Sequence, residues 1–322
     1  MSSVPKLVLI GDTLVTLYEN MARIRQFSVA MQRAIDEGQA DSGTRPVIGL
    51  EAMAAGVSWH LTHDDLLFSA RPALSIALGK GVEMRELAAQ CLRRSTGCGG
   101  GMGGGRTFAA PQYGFLGVTE DNAAPMLNAL GAAMACRRRK PPPLAVGVFG
   151  ADGLIDGAYH EALRCAGEWM LPVMFVAHID RSRDLSPKRW GTVAKTYGIA
   201  AVDADGRSVS EVYAAANEAV RRAREGEGPS LLLLEVGTTS ANNQLPAEDD
   251  PLQVMRSQLL SDKGATREEL EEIDQRCEQE VEQAMAYAEL APPVDWKVAG
   301  ALMPASAPPE SSRSIPSRKR SK

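Results

Sequence analysis

Between residues 144 and 236 the chain switches repeatedly between short unbroken apolar runs and longer segments with helical spacing, a pattern that few folds can accommodate. "LAVGVF" (144–149), "PVMFVAHI" (172–179) and "SLLLLEV" (230–236) show no polar alternation, so both faces of each strand need cover. "YHEALRCAGEWM" (159–170) and "SEVYAAANEAVRRAREG" (210–226) lie between them with helical periodicity. Continuous apolar strands separated by helices predict an α/β fold: a doubly wound, mainly parallel sheet with helices on both faces. In such a sheet ligands bind outside the carboxyl ends of the strands.

The flanking segments predict helices. "YENMARIRQFSVAMQRAIDEG" spaces Met21, Ile24, Phe27, Val29, Met31 and Ile35 for a helix over 18–37 that stops at Gly38. "IGLEAMAAGVSWHL" and "NAAPMLNALGAAMACRRRK" are helices rich in small residues, suited to close packing or subunit contact. Near the C-terminus, Thr266 and Glu269 have the spacing of a capping box opening a late helix. "TGCGGGMGGGRTF" (96–108) is too dense in glycine for anything but a loop. The expected organisation is an N-terminal extension (1–17), one domain (18–295), and a Pro- and Ser-rich basic tail (296–322) expected to be disordered.

A formal net charge of -5 argues against a general nucleic-acid binder, which needs surplus Lys and Arg. No apolar run reaches the roughly 20 residues that span a bilayer, and the N-terminus lacks the apolar stretch of a secretory signal. The reading is a cytoplasmic chain without nucleic-acid or membrane partners. Its five cysteines are scattered, with no spacing typical of zinc or redox sites.

From about Tyr18 to Leu290 the chain resembles the α-subunit of the E1 component of thiamine-diphosphate-dependent 2-oxoacid dehydrogenases, the pyruvate, branched-chain and acetoin type. The resemblance rests on "YENMARIRQF", "VIGLEAMAAG", "STGC" with its glycine-rich sequel, "GFLG", "GAYHEAL", "LPVMFV" and "YGIAAVDADG", in family order. It implies a thiamine diphosphate-binding fold and an E1 β-like partner, as a dimer or an α2β2 heterotetramer, or self-association. In that family the α-subunit holds the diphosphate and its Mg²⁺, and the β-subunit supplies the Glu that activates the aminopyrimidine.

The chain departs from the family's motifs at the positions that carry this chemistry. An ungapped register on "GAYHEAL" sets the family's G-D-G metal motif on Gly150, Ala151 and Asp152, with Ala151 in place of the ligand. A register with two compensating indels restores Asp152-Gly153 instead. The family's later N-N pair becomes Ile179 and Asp180. Its diphosphate-gripping Tyr-Arg falls on Arg71 and Pro72, and its Ser-Met-His on Gly105, Arg106 and Thr107. The glycine turn that cradles the aminopyrimidine becomes "VTEDNA" (118–123), and the substrate loop becomes Ser240, Ala241, Asn242 and Asn243.

Two readings follow. In the first, the fold and its interfaces remain without the cofactor site: a non-catalytic binding or structural subunit that holds no cofactor. In the second, the chain is the α-subunit of an active decarboxylase, dehydrogenase or acyl-transfer enzyme with an atypical site. There Asp152 and Asp180 hold Mg²⁺, Arg71, Gly153, Arg181, Ser182 or Arg183 meet the diphosphate, and His178 with Asn242 contacts substrate. A third option is a new activity built on Glu120, Asp121, His178 and Asp180. Of the four histidines, His60 and His63 read as surface or cap residues, His160 as a packed, hydrogen-bonded one, and His178 as the one placed at a strand end.

Overall fold

The computed structural model describes residues 11–183, 185–237, 245–295 and 297. Among them six strands form one wholly parallel sheet: β1 (Leu66–Ala70), β2 (Phe115–Thr119), β3 (Ala145–Gly150), β4 (Val173–Asp180), β5 (Ala200–Asp205) and β6 (Ser230–Val236). Their order across the sheet is β2-β1-β3-β4-β6-β5. The helices are α1 (Gly11–Asp36), α2 (Glu51–Ser58), α3 (Leu74–Gly79), α4 (Met84–Cys91), α5 (Ala124–Cys136), α6 (Gly157–Glu168), α7 (Pro187–Thr196), α8 (Val209–Glu225), α9 (Pro251–Ser261) and α10 (Arg267–Leu290). This is the doubly wound architecture that the alternating segments predict.

The two faces of the sheet feed two cores. Met174 and Val176 of β4, Leu232 and Leu234 of β6 and Val146 and Val148 of β3 pack with residues of α1 to α4, α8 and α10. The intervening Phe175, Ala177, Leu231, Leu233 and Phe149 pack under α5, α6 and α7. A third cluster joins α1, α2, α9 and α10 around Tyr18, Met21, Leu259 and Ile273. Burial of such side chains contributes about 1.5–3 kcal/mol each, and with both faces covered no strand needs polar alternation.

Five local outcomes bear on the sequence reading. The first helix begins at Gly11, inside the expected N-terminal extension, and Leu17 is already buried. Val29 is exposed, because Phe27 and Met31 occupy the buried stripe and a residue between them points outward. Gly38, at φ +75°, lies just beyond the end of the helix, where the left-handed conformation favours glycine. Thr266 and Glu269 do form a capping box, each side chain meeting the other's backbone N–H. β2 and β5 escape periodicity because they are short edge strands, one interrupted by Gly117 and the other carrying Asp203 and Asp205.

The amino-terminal side of the sheet is pinned by Asp65, which is buried. Its carboxylate accepts hydrogen bonds from the N–H groups of Leu144 and Thr62, the Thr62 hydroxyl and the Arg224 guanidinium. This anchors the sheet away from the strand ends that face the candidate site. Among the described residues no helix is long and apolar enough to cross a membrane.

Candidate functional site

The strand order reverses between β1 and β3, since β2 lies on one side of β1 and β3 on the other. The loops that follow these strands therefore splay apart at their carboxyl ends, which is where a doubly wound sheet opens a ligand crevice.

Arg71 follows β1 and Glu120 follows β2. Arg71 Nη1 donates to the Gly43 carbonyl at 3.2 Å, and its Nη2 lies 3.5 Å from Glu120 Oε1. Arg106, leaving the glycine-rich loop, donates to that same carboxylate oxygen. The Arg106 guanidinium, followed by those of Arg71 and Arg45, holds the Glu120 carboxyl below its ordinary pKa. Beside them Arg93 donates to Asp41, whose other oxygen accepts the Gly43 N–H. The glycine-rich loop is held by the buried Gln90. Its amide nitrogen donates to the carbonyls of Met102 and Gly104, while its oxygen accepts the N–H groups of Gly99 and Gly101. Gly101 and Gly103 have φ near +72° and +78° with backbone too close for a Cβ, which explains why the segment is glycine.

β3 ends at Gly150, whose N–H donates to Asn122 Oδ1 at 3.0 Å. A tight 3-10 turn, Ala151–Ile155, follows. Ala151 is buried in the core under α5 and α6, whereas Asp152 is exposed and accepts a hydrogen bond from Arg183. Gly153 is a packing glycine: a Cβ there would stand 2.7 Å from the Phe149 ring and 2.8 Å from the Asn122 carbonyl. Asp156 then caps α6, accepting the Ala158 N–H.

On the neighbouring strand His178 lies in register with Gly150, its ring 3.4 Å from where a Cβ on that glycine would stand. Burial pushes the His178 imidazole down to about 4, against the opposing pull of Asp180. It is therefore neutral at neutral pH, able to exchange hydrogen bonds but not to carry charge. Asp180 ends β4, and its Oδ1 accepts both the N–H and the hydroxyl of Ser182, the geometry of an Asx turn.

Of the residues singled out in sequence, His178 and Asp180 thus lie at the end of β4, Ser182 just after it and Asp152 on the turn after β3, with Arg183 linking the two segments. Arg71 stands on the other side of the crevice with Glu120. Arg181 turns toward the ends of β5 and β6, where Asp249 accepts hydrogen bonds from it and from Arg207, which also grips Asp205. Asn242, with Ser240, Ala241 and Asn243, lies outside the described residues. Asp121 caps α5, its carboxylate accepting the N–H groups of Ala123 and Ala124. His60 meets the Tyr213 carbonyl and ring. His160 is exposed rather than packed, its Nδ1 3.1 Å from the Tyr197 hydroxyl, because its helix turns that face to solvent. Among the described residues no three His, Cys, Asp or Glu side chains cluster as a metal site.

Asp41, Arg45 and Arg93 carry much of the crevice's polar structure and do not stand out as site residues in the sequence. The signal available is the concentration of arginines around a glycine-rich loop, which spacing alone does not join to residues 41–45.

A parallel, doubly wound sheet with charged loops at its strand ends defines an α/β protein with its candidate site at the carboxyl edge of the sheet. The chain belongs to the dehydrogenase E1 component family, whose model matches residues 19–239. It is 27% identical over 297 residues to the alpha subunit of acetoin:2,6-dichlorophenolindophenol oxidoreductase from Bacillus subtilis (strain 168), covering 86% of this chain and 89% of that one. The corresponding subunit from Cupriavidus necator is 28% identical over 302 residues, covering 87% and 91%. The alpha subunit of the pyruvate dehydrogenase E1 component from Porphyra purpurea is 27% identical over 306 residues, covering 87% and 89%. The chain is thus an E1 α-like member of the 2-oxoacid dehydrogenase family.

Proposed function

We propose that this E1 α-like chain works by binding rather than by catalysis, as a subunit paired with an E1 β-like chain or with a second copy of itself. The observation that carries the reading is the state of the charges around the crevice. Each arginine named above as a diphosphate contact is already engaged by a carboxylate of the chain: Arg71 by Glu120, Arg183 by Asp152 and Arg181 by Asp249.

The donor set does not fit a magnesium diphosphate. Mg²⁺ demands oxygen ligands in near-octahedral array, and the residue directly after β3 is Ala151, whose side chain offers none and faces the core. Asp152 points outward to Arg183, and one oxygen of Asp180 is committed to its own turn. Association is supported separately by α5, which carries no charged residue from Ala124 to Cys136 although Leu127 and Met134 are 45% and 41% exposed. An uncharged, partly apolar exposed helix face is suited to a protein partner.

The competing reading, an active thiamine-diphosphate enzyme, draws on the neighbouring ends of β3 and β4, which bring Asp152 on one segment and His178 and Asp180 on the other to the same edge of the sheet. Titrating the chain, alone and with its β-like partner, with thiamine diphosphate and Mg²⁺ separates the two. The proposal expects no saturable heat and no rise in melting temperature in either format. Micromolar binding that Asp152→Ala abolishes would overturn it.

A further inference from the structure

The region above β1 and β2 holds four arginines, Arg45, Arg71, Arg93 and Arg106, against two carboxylates, Asp41 and Glu120. Three of the four act on one group. Arg71 and Arg106 both address Glu120 Oε1, and Arg45 adds its field. Arg71 is held firmly in place, since its side chain is only 14% exposed and the Gly43 carbonyl engages one of its nitrogens. Its Nε is buried without a protein partner, leaving an unused donor on the same guanidinium. Planar guanidinium groups presenting donors to a single point suit the oxygens of a carboxylate or phosphate. Glu120 is nearly half exposed, so its position is one that a solute could also reach.

We propose that Arg71 and Arg106 form an oxyanion-binding site whose occupant is the chain's own Glu120 carboxylate, which keeps small phosphates out. The inference rests on the preceding reading, that the crevice does not hold a diphosphate, and gives it a physical cause. Glu120 is attached to the end of β2, so it competes as an intramolecular ligand whose local concentration no dilute anion matches. Once that carboxylate is neutralised, the surplus guanidinium charge is left to attract an oxyanion from solution.

The test uses the full chain and inorganic pyrophosphate, with neither thiamine nor metal, in a calorimetric titration at low salt. Wild-type protein should bind weakly, with saturation only at high pyrophosphate concentration. Glu120→Gln, which keeps the shape and removes the charge, should bind at least about tenfold more tightly, the order expected when a charge-assisted hydrogen-bonded competitor is removed. Glu120→Ala should do the same, and adding Arg106→Ala to Glu120→Gln should abolish the gain. Melting curves confirm that each variant is folded. Equal affinity of wild type and Glu120→Gln would overturn the proposal, as would no binding by either variant or a gain that survives loss of Arg106. Because the Asp152-dependent titration with thiamine diphosphate and Mg²⁺ tests the non-catalytic reading separately, each can fail without the other.

Discussion

His178 shows how burial alone can decide what a side chain is able to do. Inside the fold its pKa falls to about 4 because the charged imidazolium loses hydration, whereas in the unfolded chain it titrates near 6.5. As pH falls through 6.5 the unfolded state takes up the proton first, so this group's contribution to stability is complete above about 6.5 and is lost progressively down to about 4. His60, also lowered by burial, acts in the same direction. It is common to wild type and a His178→Asn variant, so it cancels in their comparison. The stability advantage of wild type over His178→Asn, measured by urea unfolding, should shrink between pH 7 and 4.5. A constant difference across that range would show that the imidazole is not held neutral. The sequence places His178 at a strand end correctly, since the apolar run before it fixes where β4 stops. It could not show that Asp152 faces solvent while Ala151 faces the core, because one turn of 3-10 geometry settles that.

Among the elements, the glycine-rich loop depends on a residue outside it. Gln90 sits on α4 with its amide fully engaged by four backbone groups of the loop. Gln90→Ala leaves those groups without their partner, those of Gly101 and Gly104 being buried, at a cost of about 2–4 kcal/mol. Urea unfolding should report that loss, and limited proteolysis should cut between residues 99 and 104 faster than in wild type. An unchanged cleavage rate would mean that the glycine backbone holds itself. Composition alone identifies this stretch as a loop, and nothing in the sequence links it to Gln90, because the contact depends on how α4 packs. The same division holds for the strands. β3, β4 and β6 are legible from unbroken apolar runs, while β2 and β5 are sheet edges whose polar and glycine positions imitate loop.

At the scale of the whole molecule, α5 is the element that the isolated fold explains least. Its inner face packs Met126, Ala129 and Ala133 into the core beneath it. Its outer face presents Leu127, Gly131 and Met134, with nothing close to where a Cβ on Gly131 would stand. Ile155, on the turn leading into the neighbouring α6, is 65% exposed. Small residues are legible in the sequence as close-packing positions, but periodicity cannot separate packing within one chain from packing between two. The exposed side of α5 favours the second. If this face meets a β-like chain or a second copy, Leu127→Asp or Gly131→Arg buries a charge without a partner in that contact, which costs several kcal/mol at an interface. Sedimentation velocity should then show dissociation at concentrations where wild type is assembled, with a dissociation constant raised at least about tenfold. The melting temperature of the isolated chain should change little, since both positions are solvent-exposed within it. Assembly that withstands both substitutions would move the interface elsewhere and leave the uncharged face of α5 without a partner.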